Sequence, residues 1–220
     1  MAGVSPKDNP PPLRVAVMAS GSGTNLQAIL DRAASGELGA EVVLVVCNNR
    51  DAMALERARK AGLTAVHWSE TMAGSPERFG EELLGMFRGA QVDLVVLAGY
   101  MKLVPRTVVE AYQGRMLNIH PALLPKFGGK GYYGMRVHEA VIASGDTESG
   151  ATVHFVDPEY DRGPVFLQRR VPVLPGDTPE MLRDRVLEVE HELLPEAVAK
   201  FARERRAAGT KDSGSRLLPG

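Results

Sequence analysis

Glu41-Val42-Val43-Leu44-Val45-Val46-Cys47 is a run in which six consecutive residues are apolar and four are valine. Successive side chains on a strand point to opposite faces, so an unbroken apolar run leaves neither face for water. A strand of this kind has to be covered above and below, as in a parallel sheet layered between helices. Four more short apolar runs follow the same rule, at residues 14–19, 64–68, 94–98 and 116–120. Helical periodicity fills the segments between them, at 26–35, 52–61, 77–88 and 105–112. Regular alternation of strand and helix predicts an α/β fold with a doubly wound, mostly parallel sheet and helices on both faces.

Past His120 the pattern changes. A glycine-rich stretch, Gly128-Gly129-Lys130-Gly131-Tyr132-Tyr133-Gly134, precedes a helix near 137–143 and strands at 151–156 and 165–173. Those two strands can pair across 157–164, giving the sheet an antiparallel C-terminal edge. A last helix spans 179 to about 205, and Pro195 should kink or interrupt it, because proline lacks the N–H and crowds the preceding turn. The fold is expected to occupy 13–206 as one domain, with flexible, polar tails at 1–12 and 207–220.

With 220 residues, 44% hydrophobic and 24% charged, the chain is long enough to bury a substantial single core. A formal net charge of -1 offers no general attraction to nucleic acid or to an anionic membrane. Cys47 is the only cysteine and reads as buried strand, so no intrachain disulfide is expected. No secretory or membrane-spanning pattern stands out, which makes the cytoplasm the expected compartment. The five histidines show no spacing typical of metal ligands, and no metal is expected.

In open sheets of this type ligands sit outside the carboxyl ends of the strands. Residues 20–25 follow the first strand, 101–104 the fourth, and Asn118 and His120 end the fifth, so all three should face one cleft. Asn118 and His120 are two apart on an extended segment and therefore point the same way. An amide and an imidazole together can stabilise and protonate an oxygen that becomes negative as a carbonyl is attacked. No serine or cysteine nucleophile stands beside them, which leaves direct attack by a substrate group. Asp161 is then a candidate to orient His120 or to help take the nucleophile's proton. The alternative reading of Asn-x-His is an asparagine satisfying a turn and a hydrogen-bonded histidine at a strand end.

Ser20-Gly21-Ser22-Gly23-Thr24-Asn25 joins the first strand to the first helix. Gly21 and Gly23 permit a tight turn and close approach to backbone N–H groups. The helix start adds further amides, with Ser22, Thr24 and Asn25 as supplementary donors, a setting suited to a phosphate monoester. The pattern matches neither Gly-x-Gly-x-x-Gly nor the Lys-Ser/Thr phosphate loop, and an ordinary glycine turn is the competing reading.

Three motifs in order, Ser20-Gly21-Ser22-Gly23-Thr24-Asn25-Leu26-Gln27, Asn118-Ile119-His120-Pro121-Ala122-Leu123-Leu124-Pro125, and Thr152-Val153-His154-Phe155-Val156 with Asp161-Arg162-Gly163-Pro164, closely resemble the folate-dependent phosphoribosylglycinamide formyltransferases of purine synthesis. The resemblance runs from about Val15 to about Phe201. It implies transfer of a formyl group from 10-formyltetrahydrofolate, as cosubstrate, to the amine of glycinamide ribonucleotide. By this resemblance Gly21, Ser22, Gly23, Thr24 and Asn25 hold the ribose 5-phosphate, and Glu190 contacts the same substrate. Met101, Lys102, Leu103 and Val104 line the folate pocket, with Val156, Asp157 and Asp161 on its opposite wall. Lys102 stands where some members have arginine, and it gives up planar, two-point recognition of a carboxylate.

The resemblance also implies a monomer or homodimer acting on small molecules. The glycine-rich stretch 128–134 is longer than in shorter members, which suggests a lid near the cleft, and His138 reads as structural. Two related activities, formyltetrahydrofolate hydrolysis and formylation of methionyl-tRNA, usually come with an additional domain, for which this chain is expected to have no room. A non-catalytic binder of a phosphate ligand is the reading from a different class.

Overall fold

The computed structural model describes residues 11–214. In chain order these form β1 (Leu13–Ala19), α1 (Thr24–Ala34), β2 (Ala40–Cys47), α2 (Met53–Lys60), β3 (Ala65–His67), α3 (Glu70–Ala73) and α4 (Pro76–Gly89). There follow β4 (Leu94–Leu97), α5 (Arg106–Ala111), β5 (Met116–His120), α6 (Met135–Ser144), β6 (Glu148–Phe155), β7 (Val165–Pro172) and α7 (Pro179–Gly214). The strands make one sheet in the order β3-β2-β1-β4-β5-β6-β7. The pairs from β3 through to β5 are parallel, and β6 and β7 add antiparallel. The doubly wound sheet with an antiparallel C-terminal edge is thus the architecture the sequence predicts.

Strand alternation divides the core in two. Val15, Val17 and Ala19 face one cluster with β2, α1, α2 and α7, whereas Ala16 and Met18 face another with α4 and α5. Every residue from Leu94 to Leu97 is buried, as expected for a strand covered on both faces.

Three local features depart from expectation. The helix α3 has four residues, too short to leave a periodic signal, and ends at Gly74 in the left-handed region. Of the kink or interruption expected at Pro195, the interruption does not occur, and α7 runs through this residue. Pro195 is buried together with Leu193, Leu194, Ala197 and Val198, and packing of that face holds the helix together where one backbone hydrogen bond is missing. The same helix continues past 206 to Gly214. The expected tail segments 1–10 and 215–220 lie outside the described residues. No described helix is long and apolar enough to cross a membrane.

Candidate active site

Chain connections leave β1 and β4 in opposite directions along the sheet, opening a crevice at the carboxyl ends of these neighbouring strands. Ser20 bridges it. Its N–H donates to the Gly99 carbonyl at 3.1 Å, and its hydroxyl oxygen accepts from Met101 N–H at 2.8 Å. Above them lies a cavity of about 950 Å³. Gly21, Ser22, Thr24, Asn25, Met101, Lys102, Leu103, Val104, Asn118, His120, Val156, Asp157, Asp161 and Glu190 all line it. Gly23, the remaining residue expected there, is tucked beneath the loop against Ala54. Exposed Met101 and Leu103, with Tyr132, Tyr133 and Tyr160, give the cavity an apolar and aromatic wall suited to a flat heterocycle.

The antiparallel pairing of β5 and β6 sets Asn118 opposite His154, and the Asn118 amide nitrogen lies 3.0 Å from His154 Nε2. His154 Nδ1 is 2.9 Å from the Phe155 carbonyl. A carbonyl only accepts, so Nδ1 carries the proton and Nε2 accepts from Asn118. By the same argument His120 Nε2 donates to the Phe127 carbonyl at 2.7 Å. This leaves His120 Nδ1 without a proton, 3.6 Å from Asp161 Oδ2. Two acceptors face each other there, and one added proton would serve both.

Asp161 collects the remaining contacts. Oδ1 is 3.5 Å from both Asn118 Nδ2 and His154 Nε2, and Oδ2 accepts from Gly129 N–H at 2.9 Å. Burial lowers the His120 pKa, against a raising effect of Asp161. For Asp161 burial pushes upward, but His154 and His120 in their protonated forms, together with Gly129 N–H, outweigh it and hold the carboxyl below its ordinary value. Burial thus favours a neutral His120 imidazole beside the Asp161 carboxylate, ready to accept a proton.

The backbone that presents Asp161 is constrained. Asp161 has φ 55 and Phe127 also has φ 55, in the left-handed region that non-glycine residues seldom occupy. Such strain clusters where surrounding structure over-determines it. Gly163 lies so close to β6 that a Cβ would collide with the Phe155 carbonyl, which accounts for glycine in Asp161-Arg162-Gly163.

On the other side of the cavity Gly23 adopts φ 69 and caps α1. Asn25 Nδ2 donates to Glu190 Oε2 at 2.7 Å, so this amide nitrogen is engaged by a carboxylate. An amide nitrogen carries two N–H donors, so this bond engages one of them. Asn25 Oδ1 is buried with no partner among protein groups. Burial raises the Glu190 pKa to about 7, with the Asn25 hydrogen bond pulling the other way. An unpartnered amide oxygen and a carboxylate beside it both call for hydrogen-bond donors on a ligand.

A family model described as formyl transferase matches residues 13–198. The chain belongs to the formyl transferase family. Among its relatives, phosphoribosylglycinamide formyltransferase of Escherichia coli is 40% identical over 190 residues, covering 86% of this chain and 87% of that protein. The chloroplastic phosphoribosylglycinamide formyltransferase of Arabidopsis thaliana is 44% identical over 193 residues, covering 87% of this chain. The chain spans 66% of the length of that plant protein. The crystal structure of glycinamide ribonucleotide transformylase 1 from Symbiobacterium toebii superposes with a TM-score of 0.85 at 42% identity, covering 93% of this chain and 94% of that one.

Two further histidines, His154 and His138, also line the cavity. His154 was visible only as part of a strand, because its link to Asn118 exists only through the β5–β6 register. His138 lines the cavity from α6, and burial, followed by the charge of Arg183, lowers its pKa to about 4. Its Nδ1 is buried without a partner. Phe127 and Gly129 act through backbone atoms, which no side-chain motif announces. Among the described residues, no three or more His, Cys, Asp or Glu are arranged to hold a metal ion.

Proposed function

We propose that the protein transfers the formyl group of 10-formyltetrahydrofolate to the amine of glycinamide ribonucleotide, giving formylglycinamide ribonucleotide and tetrahydrofolate in purine biosynthesis. The observation that supports this most is that Asn118, His120 and Asp161 meet in one cavity, between the glycine loop after β1 and the apolar segment after β4. The loop amides from Gly21 to Asn25 would bind the ribose 5-phosphate, and Glu190 would accept hydrogen bonds from the same substrate. The pterin would lie against Met101, Lys102, Leu103 and Val104, with Val156 and Asp157 opposite.

The amine nitrogen attacks the formyl carbon and forms a C–N bond, and the carbonyl oxygen takes up negative charge. Asn118 Nδ2–H and a protonated His120 stabilise that oxygen. Asp161 holds His120 or a relaying water as the ammonium proton leaves. Cleavage of the bond from the formyl carbon to folate N10, with protonation of N10, completes the transfer. Alignment of two bound substrates supplies much of the acceleration.

Mixing the protein with glycinamide ribonucleotide and formyl-folate, and following folate absorbance, tests the reading. Loss of the formyl-folate signal only when the amine is present is expected. Formyl release without the amine would make the protein a hydrolase, and binding without turnover would make it a phosphate-ligand binder. The reducing cytoplasm, as monomer or homodimer, is the proposed setting. A single cysteine, buried and with its thiol pKa pushed up to about 11 by burial, suits that compartment.

A further inference from the structure

The glycine loop after β1 makes hydrogen bonds that its proposed ligand does not require. Four consecutive carbonyls are held by protein donors, the last of them by the first hydrogen bond of α1. Ser20 O accepts from Asn49 Nδ2, Gly21 O from Ala54 N–H at 3.1 Å, Ser22 O from Arg57 Nε–H at 2.8 Å and Gly23 O from Gln27 N–H at 2.9 Å. A peptide's C=O and N–H point in opposite directions, so fixing these carbonyls fixes the direction of the N–H groups that follow them. Arg57 is the only one of the four donor residues to reach the loop with a charged side chain. Its guanidinium is also anchored by NH1 donating to Gln27 Oε1 at 3.2 Å, on the first turns of α1. Beneath it α2 approaches so closely that a Cβ on Gly23 would lie 2.7 Å from Ala54.

We propose that Arg57 is a positioning residue for phosphate recognition: from the outer face of the loop it locks the Ser22–Gly23 peptide with its N–H toward the anion. Arg57 is half-buried and lines a separate surface depression with Gln27, Met53 and Lys60. It therefore acts through the backbone, and its charge reinforces the field of the α1 N-terminus. The inference rests on the proposed reading of residues 21–25 as the phosphate cradle.

The test compares Arg57→Gln with the unaltered protein. The readouts are KM for glycinamide ribonucleotide, KM for formyl-folate, kcat, and competitive inhibition by inorganic phosphate and by the dephosphorylated riboside. Losing a charge-assisted hydrogen bond of this kind should raise the nucleotide KM and the phosphate inhibition constant on the order of tenfold. Riboside inhibition, folate KM and kcat should stay within about twofold. Equal weakening of nucleotide and riboside, or an unchanged nucleotide KM, overturns the proposal. Should Arg57→Gln fail to fold, Gln27→Leu decides. It removes the second anchor of the guanidinium together with an exposed bond from Gln27 to Asp31, and a rise in nucleotide KM of about threefold supports the proposal whereas no change overturns it. If phosphate and nucleotide do not compete in the unaltered protein, the cradle reading itself fails. Competition there with unshifted constants in the variant fails the Arg57 proposal alone.

Discussion

On the proposed nucleotide side of the cavity the groups that would face the ligand are mostly backbone amides of residues 21–25. On the proposed formyl side they would be the side chains of Asn118, His120 and Asp161, brought from β5 and from the turn after β6. The first arrangement is local. Its geometry comes from one strand-to-helix turn braced by α2 and by the turn between β2 and α2. The second depends on an antiparallel strand pairing and on contacts between residues 118 and 161, and it is tuned by burial and charge. A backbone site tolerates side-chain change and fails when the chain path shifts, whereas a side-chain site loses function with a single atom.

Asp161→Asn should break the formyl side most sharply. The amide keeps the shape but cannot take a proton at the His120 position, so kcat should fall on the order of 10³-fold, with nucleotide affinity within about threefold. Steady-state kinetics together with a nucleotide titration checks this, and near-normal turnover would remove Asp161 from proton movement.

Glu190 gives the nucleotide side its one titratable element. Its folded pKa of about 7 exceeds the ordinary glutamate value of 4.5, because burial penalises the charged form. Between those values the folded protein holds a proton that the unfolded chain has released. Stability is therefore lost as pH rises through that window, by about 3 kcal/mol at most. Glu190→Gln lacks this linkage, so its denaturation midpoint should gain on the unaltered protein as pH rises from about 5 to about 8. A gap that stays constant with pH would contradict the buried carboxylate.

Gly23→Ala attacks the backbone path instead. The new Cβ would press on Ala54 in a left-handed conformation, at a stability cost of about 1–3 kcal/mol. The nucleotide KM should rise on the order of tenfold, with kcat less affected. Thermal unfolding and initial-rate measurements separate the two effects. The smallest effect belongs to exposed Lys102, where Lys102→Met should raise the formyl-folate KM less than about fivefold, as expected for a solvent-screened charge. A larger rise would make Lys102 a specific carboxylate contact.

Much of this was legible because the signals are local. The valine run 42–46 announces a strand buried on both faces, and the alternation around it gives the sheet. Glycines 21 and 23, and the Asn118–His120 spacing, mark their sites through backbone freedom and strand period. Pro195 shows the limit of such rules. Its cost is local and readable, whereas the packing of Leu193, Leu194, Ala197 and Val198 that keeps α7 continuous is distributed across the core.

The order of apolar runs and glycines was enough to determine an α/β sheet and the cleft at its strand ends, while Glu190 and the residues of the folate pocket came from the resemblance of its motifs. Only the tertiary structure decided that His154 orients Asn118, that Phe127 and Gly129 fix His120 and Asp161 through backbone atoms, and that Glu190 is buried against Asn25. These contacts join residues from 7 to 165 positions apart. Hydrogen-bond partners, tautomers and pKa shifts depend on what surrounds a side chain in space. Periodicity along a sequence records which face a residue occupies, but not which residue it will meet there.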